Sequence, residues 1–145
     1  MTANIYSQEV PANLQAALFK KIFSFNKTLS AKGSVEIGVI GASGDGIVAA
    51  FKEAGINAKA MGGNQITGDV NVVYVMPGAA STKQQSASKG VLSISGVTSL
   101  VENGQVAIGL DIEGGKPKIV INMAQLKAEG QELTADLLKI VKVIQ

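Results

Sequence analysis

Cysteine, histidine, arginine and tryptophan are all absent from this chain of 145 residues. Without cysteine there are no disulfides, no thiolate metal sites and no cysteine nucleophile. Without histidine the commonest general base and transition-metal ligand is gone, which removes Ser-His-Asp and zinc-hydrolase chemistry. The missing arginine bears on nucleic acids, whose specific readers lean on its bidentate and stacking contacts. All 13 positive charges are lysines and the net charge is only +2, so no nucleic-acid partner is expected. No apolar run approaches the length of a membrane span, and Met1-Thr2-Ala3-Asn4 does not read as a signal peptide. Taken literally the chain is cytoplasmic; it reads equally well as the mature part of an exported protein. A serine–lysine pair or a carboxylate-bound magnesium is still open chemically, but no pattern singles one out. No metal site and no cofactor is expected.

What is present is one domain's worth of sequence, long enough to bury a core without staples. Residues 1–9 are polar and read as a flexible arm, with the domain running from residue 10 to 145. Pro11 suits a first helical turn. Leu14, Leu18, Ile22, Phe25 and Leu29 then recur at helical spacing. Phe19 and Phe23 sit beside that stripe. They widen the apolar face, which suits a helix wedged between the sheet and a neighbouring element or an exposed flank that binds another chain; on the second reading Phe19 and Phe23 line a contact with a second copy or a partner. The sequon Asn26-Lys27-Thr28 falls inside this helix and is not expected to be glycosylated.

Val35 to Ile40 reads as a strand, Gly41-Ala42-Ser43-Gly44-Asp45-Gly46 as a tight turn, and the stretch to Ala54 as a helix closed by Gly55. Ile56 to Met61 completes a βαβ unit. Ser43 or Asp45 is expected to cap the helix. The glycine pattern is neither a dinucleotide fingerprint nor a P-loop. Val70 to Met76 is a nearly unbroken β-branched run, as in a strand covered on both faces. Ser81 to Lys89 reads as a surface helix, and Val91 to Ile94 as a further strand. The alternation of Val106, Ile108, Leu110 and Ile112, the turn Glu113-Gly114-Gly115 and the return Lys118 to Ile121 predict a hairpin. Asn122 and Gln125 stand where a capping box belongs, and Gly130 where that helix should stop. A last helix is expected to set Leu137, Leu138, Val141 and Ile144 on one face. The fold class is therefore α/β: a mainly parallel sheet flanked by helices, a three-layer sandwich, with an antiparallel C-terminal hairpin at one edge.

The order of these signals resembles the YfiR-like family of small exported bacterial regulators over residues 10–145. The resemblance is carried by Leu14-Gln15-Ala16-Ala17-Leu18-Phe19, Gly38-Val39-Ile40-Gly41, the strand at Val70–Met76, Ile121-Asn122 and Leu137-Leu138-Lys139-Ile140. It implies a periplasmic, non-catalytic domain that binds and modulates a membrane signalling protein, such as a diguanylate cyclase or sensor kinase. The chain departs from the family pattern in two places. The characterised members' cysteines are missing, and their aromatic-proline corner after the first helix is replaced by Asn26-Lys27-Thr28-Leu29-Ser30.

An independent reading is a small-molecule sensor. Ligands of open α/β sheets sit outside the carboxyl ends of strands, and Ser43, Gly44, Asp45, Ser81 and Ser95 are the candidate contacts there. A third reading, a serine–lysine enzyme built on Ser43 or Ser81, has less behind it, and no catalytic residue is assigned. The partners expected are thus a membrane signalling protein, a second copy as a homodimer, and a small ligand.

Overall fold

The computed structural model describes residues 10–61 and 65–144, so the expected arm at residues 1–9 lies outside the described residues. Helix α1 (Ala12–Ser24) is followed by α2 (Lys27–Lys32), β1 (Glu36–Ile40), α3 (Asp45–Glu53) and β2 (Asn57–Met61). Then come β3 (Val72–Val75), α4 (Lys83–Lys89), β4 (Leu92–Ile94) and α5 (Thr98–Glu102). The chain ends with β5 (Ile108–Glu113), β6 (Lys116–Asn122), α6 (Met123–Ala128), α7 (Ala135–Leu138) and β7 (Lys142–Ile144). The seven strands form one sheet in the order β2-β1-β3-β4-β5-β6-β7. Every neighbouring pair is parallel except the β5–β6 hairpin. Gly114 and Gly115 both take positive φ at its tip, as a two-residue turn matched to strand twist requires. The expected α/β class, with its mainly parallel sheet, is what the chain adopts.

β3 shows why the sheet is buried on both faces. Its four residues are all buried, and their side chains alternate. Val72 and Tyr74 join the largest core cluster, with Phe19, Phe51 and Leu92. Val73 packs with Ile40, Ile66, Val70 and Val91, and Val75 with Val101, Val106 and Val120. A strand with apolar neighbours above and below has no polar face to alternate with, which is why it reads as a continuous run.

The first helix differs from the expectation in phase and in length. Its buried residues are Gln15, Ala16, Phe19, Ile22 and Phe23, a face about 100° around from the Leu14–Leu18 stripe, one residue's rotation. Leu14 is 39% exposed, whereas Phe19 is 0% and Phe23 5% exposed. The expectation that Phe19 and Phe23 line a partner or homodimer contact is therefore corrected. Their rings stack on each other with centroids 6.3 Å apart, and Phe19 meets Phe51 and Tyr74 as well. Aromatic rings bury the most area, so they take the core face and leave the leucines at its margin.

The helix also stops at Ser24. Asn26 restarts the chain as α2, its side chain accepting the Leu29 N–H at 3.0 Å. The break exists because residues 130–134 are stitched to it. Lys27 N–H donates to Glu132 O at 2.8 Å, Thr134 N–H to Phe25 O at 2.9 Å, and Asn26 Nδ2 to Gln131 Oε1 at 3.0 Å. A continuous helix would withhold those backbone groups.

The chain's end is the second correction. Only α7, a single turn, is helical; Val141 and Ile144 do not continue its face. Lys142–Ile144 instead form β7, parallel to β6 and outside the hairpin. β6 would otherwise present an unpaired edge, and Val143 and Ile144 favour extended backbone. Lys142 also reaches Glu113 at 3.1 Å, and that partner raises the lysine's pKa. The short helix α5 has no counterpart in the sequence reading. Asn122 caps α6 as expected, accepting from Gln125 N–H at 3.1 Å. The Gln125 side chain does not complete the box; it turns to Lys83 O and Glu129.

Candidate functional site

The chain leaves β1 through α3 to β2 on one side, while β3 lies on the other. The strand order therefore reverses between β1 and β3, and the loops after their carboxyl ends part there. A cleft of about 360 Å³ opens at that point. It is lined by Ser43, Gly46 and Ile47 after β1, Met76 and Pro77 after β3, Val97 after β4, and the start of α1. Its floor is polar but internally satisfied: Tyr74 OH donates to Gln15 Oε1 at 2.5 Å, and Gln15 Nε2 donates to Val10 O at 2.8 Å. Gly96 is what lets this pair form. A Cβ there would stand 2.5 Å from both the Gln15 oxygen and the Tyr74 hydroxyl. The sequence does not mark Gln15, Tyr74 or Gly96 as site residues. The one signal it carries is a glutamine within an otherwise apolar helix face, visible only once the helix phase is known.

Of the sequence candidates, Ser43 lines the cleft. It is exposed with φ 67°, the positive-φ non-glycine position among the described residues. Gly44, not Ser43 or Asp45, is the N-cap of α3, and no side chain caps it. Gly44 is buried because a Cβ would press to 2.6 Å from Val39 Cγ1. Asp45 opens the helix, exposed, where its charge suits the helix dipole. Ser95 is 0% exposed and donates to Val75 O at 2.8 Å, so it ties β4 to β3 rather than facing the cleft. Ser81 stands apart as well, its Oγ accepting Lys83 N–H at 3.4 Å beside a separate depression over residues 81–85. Among the described residues no lysine ammonium is hydrogen-bonded to the Ser43 or Ser81 hydroxyl.

A second hollow, of about 410 Å³, lies near the opposite ends of β1 and β2, among Lys20, Phe23, Leu29, Val35 and Ile56. Lys20 there donates to Ala54 O at 2.8 Å. At the sheet edge, the Lys59 ammonium and the Thr67 hydroxyl hold the Asp69 carboxyl down to about 2. That trio is exposed, as surface ion pairs usually are. No group of three or more acidic side chains is placed to hold a metal among the described residues.

A protein-family model described as YfiR/HmsC-like matches residues 12–142. The chain belongs to the YfiR/HmsC-like family. No curated protein matches it. The match takes in both ends of the fold, from the first residue of α1 to the first of β7, so the irregular features are inside the family domain. These include the α1–α2 break at Asn26 and the single turn α7; of the C-terminal strand β7 the match reaches only Lys142. The cleft is bounded by segments of this YfiR/HmsC-like domain that the match covers, apart from Val10 and Pro11 at its lip. No helix of the described residues is long and apolar enough to cross a membrane.

Proposed function

We propose that this YfiR/HmsC-like domain is a non-catalytic regulator of the bacterial envelope, acting in the periplasm by binding a membrane signalling protein such as a diguanylate cyclase or sensor kinase. The family match over residues 12–142 is the observation that carries this reading. The chemistry of the chain is compatible with it: there is no histidine or cysteine to serve as base or nucleophile, and the candidate serines are engaged in turns and strand ties. Exposed apolar side chains at Leu14, Ile140 and Val143 are available to a partner. In the cyclase case, deleting the gene should change cellular cyclic-di-GMP several-fold. An exported copy should restore the level, while a copy retained in the cytoplasm should not. An unchanged level would remove the cyclase as partner, and rescue by the cytoplasmic copy would remove the periplasmic assignment.

The cleft at the β1–β3 switch point supports a second function for the same domain, a small-molecule site whose occupancy biases partner binding. Gly44 is a poor probe of it, since any side chain there collides with Val39. Gly46 is a good one: it lines the cleft, lies in α3, and a Cβ added to it would meet nothing within 4 Å. Gly46→Leu should keep or raise the melting temperature, because leucine favours a helix over glycine by up to about 1 kcal/mol. It should also erase any thermal shift that amino acids, nucleotides or small carboxylates produce in the wild type. A shift that survives the substitution places the ligand elsewhere.

A further inference from the structure

The hollow of about 410 Å³ lies at the amino ends of β1 and β2, where Glu36 pairs with Asn57, and so at the far end of the sheet from the cleft. Its walls come from segments distant in the chain: Lys20 and Phe23 of α1, Leu29 of α2, Val35 before β1 and Ile56 before β2. Phe23, Leu29 and Ile56 are buried residues of the main core, and Val35 packs against that core. The lining is therefore largely hydrocarbon. Glycine keeps the hollow open. Gly33 and Gly55 line it with φ of +95° and +86°, a backbone that other residues enter only with strain. A Cβ on Gly33 would meet no neighbour within 4 Å, and one on Gly55 would meet the Lys20 ammonium at 3.9 Å.

The charged group in the wall is Lys20, and no carboxylate lines it. The Lys20 ammonium donates to Ala54 O at 2.8 Å, a tie that holds it beside Gly55. An ammonium carries three donors, so the tie leaves it able to serve a bound anion as well. Glu36, just outside the rim, is already engaged: it accepts from Ser34 Oγ at 3.2 Å and from Asn57 Nδ2 at 2.8 Å. The other charges next to these segments in the chain, Lys21, Lys52 and Glu53, are exposed to solvent. An apolar hollow with a few polar groups on its border and one fixed charge has the make-up of a small-molecule site.

We propose that this hollow binds a small organic carboxylate with a compact apolar body. The body packs on Phe23, Leu29 and Ile56, and the carboxylate accepts from Lys20. Each half of the pairing is needed. An apolar molecule without the charge is held by burial alone. An inorganic anion leaves the hydrocarbon wall wet, and an amine meets Lys20 as a like charge. The site is separate from the cleft and does not rest on the regulatory reading of the domain.

Amide NMR of the wild-type chain, titrated with phenylacetate and separately with hexanoate, tests this directly. The amides of Ser24, Ser30, Gly33, Gly55 and Asn57, all on the wall, should shift saturably, with a dissociation constant in the millimolar range or tighter. Acetate has the charge without the body and phenylacetamide the body without the charge; each should bind about tenfold more weakly than phenylacetate, or not at all. Lys20→Met keeps the apolar stem and removes the ammonium, and should bring phenylacetate down to the level of the amide. The absence of a saturable shift at these amides with both carboxylates would overturn the proposal. So would shifts confined to the cleft at Ser43, Gly46, Ile47 and Met76, which would support the switch-point site instead. Equal affinity of the wild type for phenylacetamide and phenylacetate would overturn it too, whether or not the variant folds, as would an unchanged affinity in Lys20→Met.

Discussion

Val73→Asp is expected to leave no cooperatively folded protein at room temperature. Val73 is 0% exposed, flanked in register by Gly38 on β1 and Ser93 on β4. Its side chain packs among Ile40, Ile66, Val70 and Val91, none of which can pair a carboxylate. An unpaired buried charge costs several kcal/mol, comparable with the whole stability of a domain this size. Urea denaturation followed by circular dichroism would show the loss. Val143→Asp serves as the control, since Val143 is 39% exposed on the edge strand and its replacement should cost about 1 kcal/mol or less. A Val73→Asp protein melting within a few degrees of wild type would mean that β3 is not covered on both faces.

Phe19→Ala comes next in size, with an expected loss of about 3–5 kcal/mol. The ring is fully buried and is the junction of the aromatic cluster, its centroid 6.3 Å from Phe23, 6.3 Å from Phe51 and 6.2 Å from Tyr74. The edge-on contact with Tyr74 adds to the area it buries. Phe19→Leu should recover most of the loss because it refills most of the volume. The double change Phe19→Ser with Phe23→Ser should unfold the chain. If that variant instead stayed folded and sedimented as a smaller species than wild type, the rings would be an interface and α1 would turn its leucine stripe, not its aromatic face, to the sheet.

Several elements were legible from local pattern because their determinants are local. Glycines at 33, 55, 90, 114, 115 and 130 take positive φ where helices or the hairpin turn end, and few other residues do so without strain. The hairpin register follows from its two-residue turn, and Asn122 capped its helix as its position suggested. The βαβ unit was readable because β-branched runs and glycine punctuation alternate along the chain. Of the candidate site, only the loop carrying Ser43 was legible. Ser95 looked like a loop residue, and its burial depends on the neighbouring strand whose carbonyl it holds.

The features that local pattern misplaced are those decided by contacts between segments far apart in the chain. Leu14 and Phe19 are equally apolar, and α1 could have turned either toward the sheet; ring packing with Phe51 and Tyr74 chose. Whether Asn26 continues a helix or breaks it depends on Gln131 and Leu133 arriving beside it. Lys142–Ile144 could propagate α7 or extend, and the open edge of β6 settled on a strand. Glu129 looks like a surface residue before a glycine; only the arrival of Ser93 on β4, whose N–H and hydroxyl both donate to its carboxyl, gives it a buried place. The composition and punctuation of the chain by themselves determined an α/β domain without histidine or thiol chemistry. Tertiary structure alone decided which faces are core, where the cleft opens and which carboxyl is cut off from water, because those depend on surfaces that exist only after the chain has closed on itself.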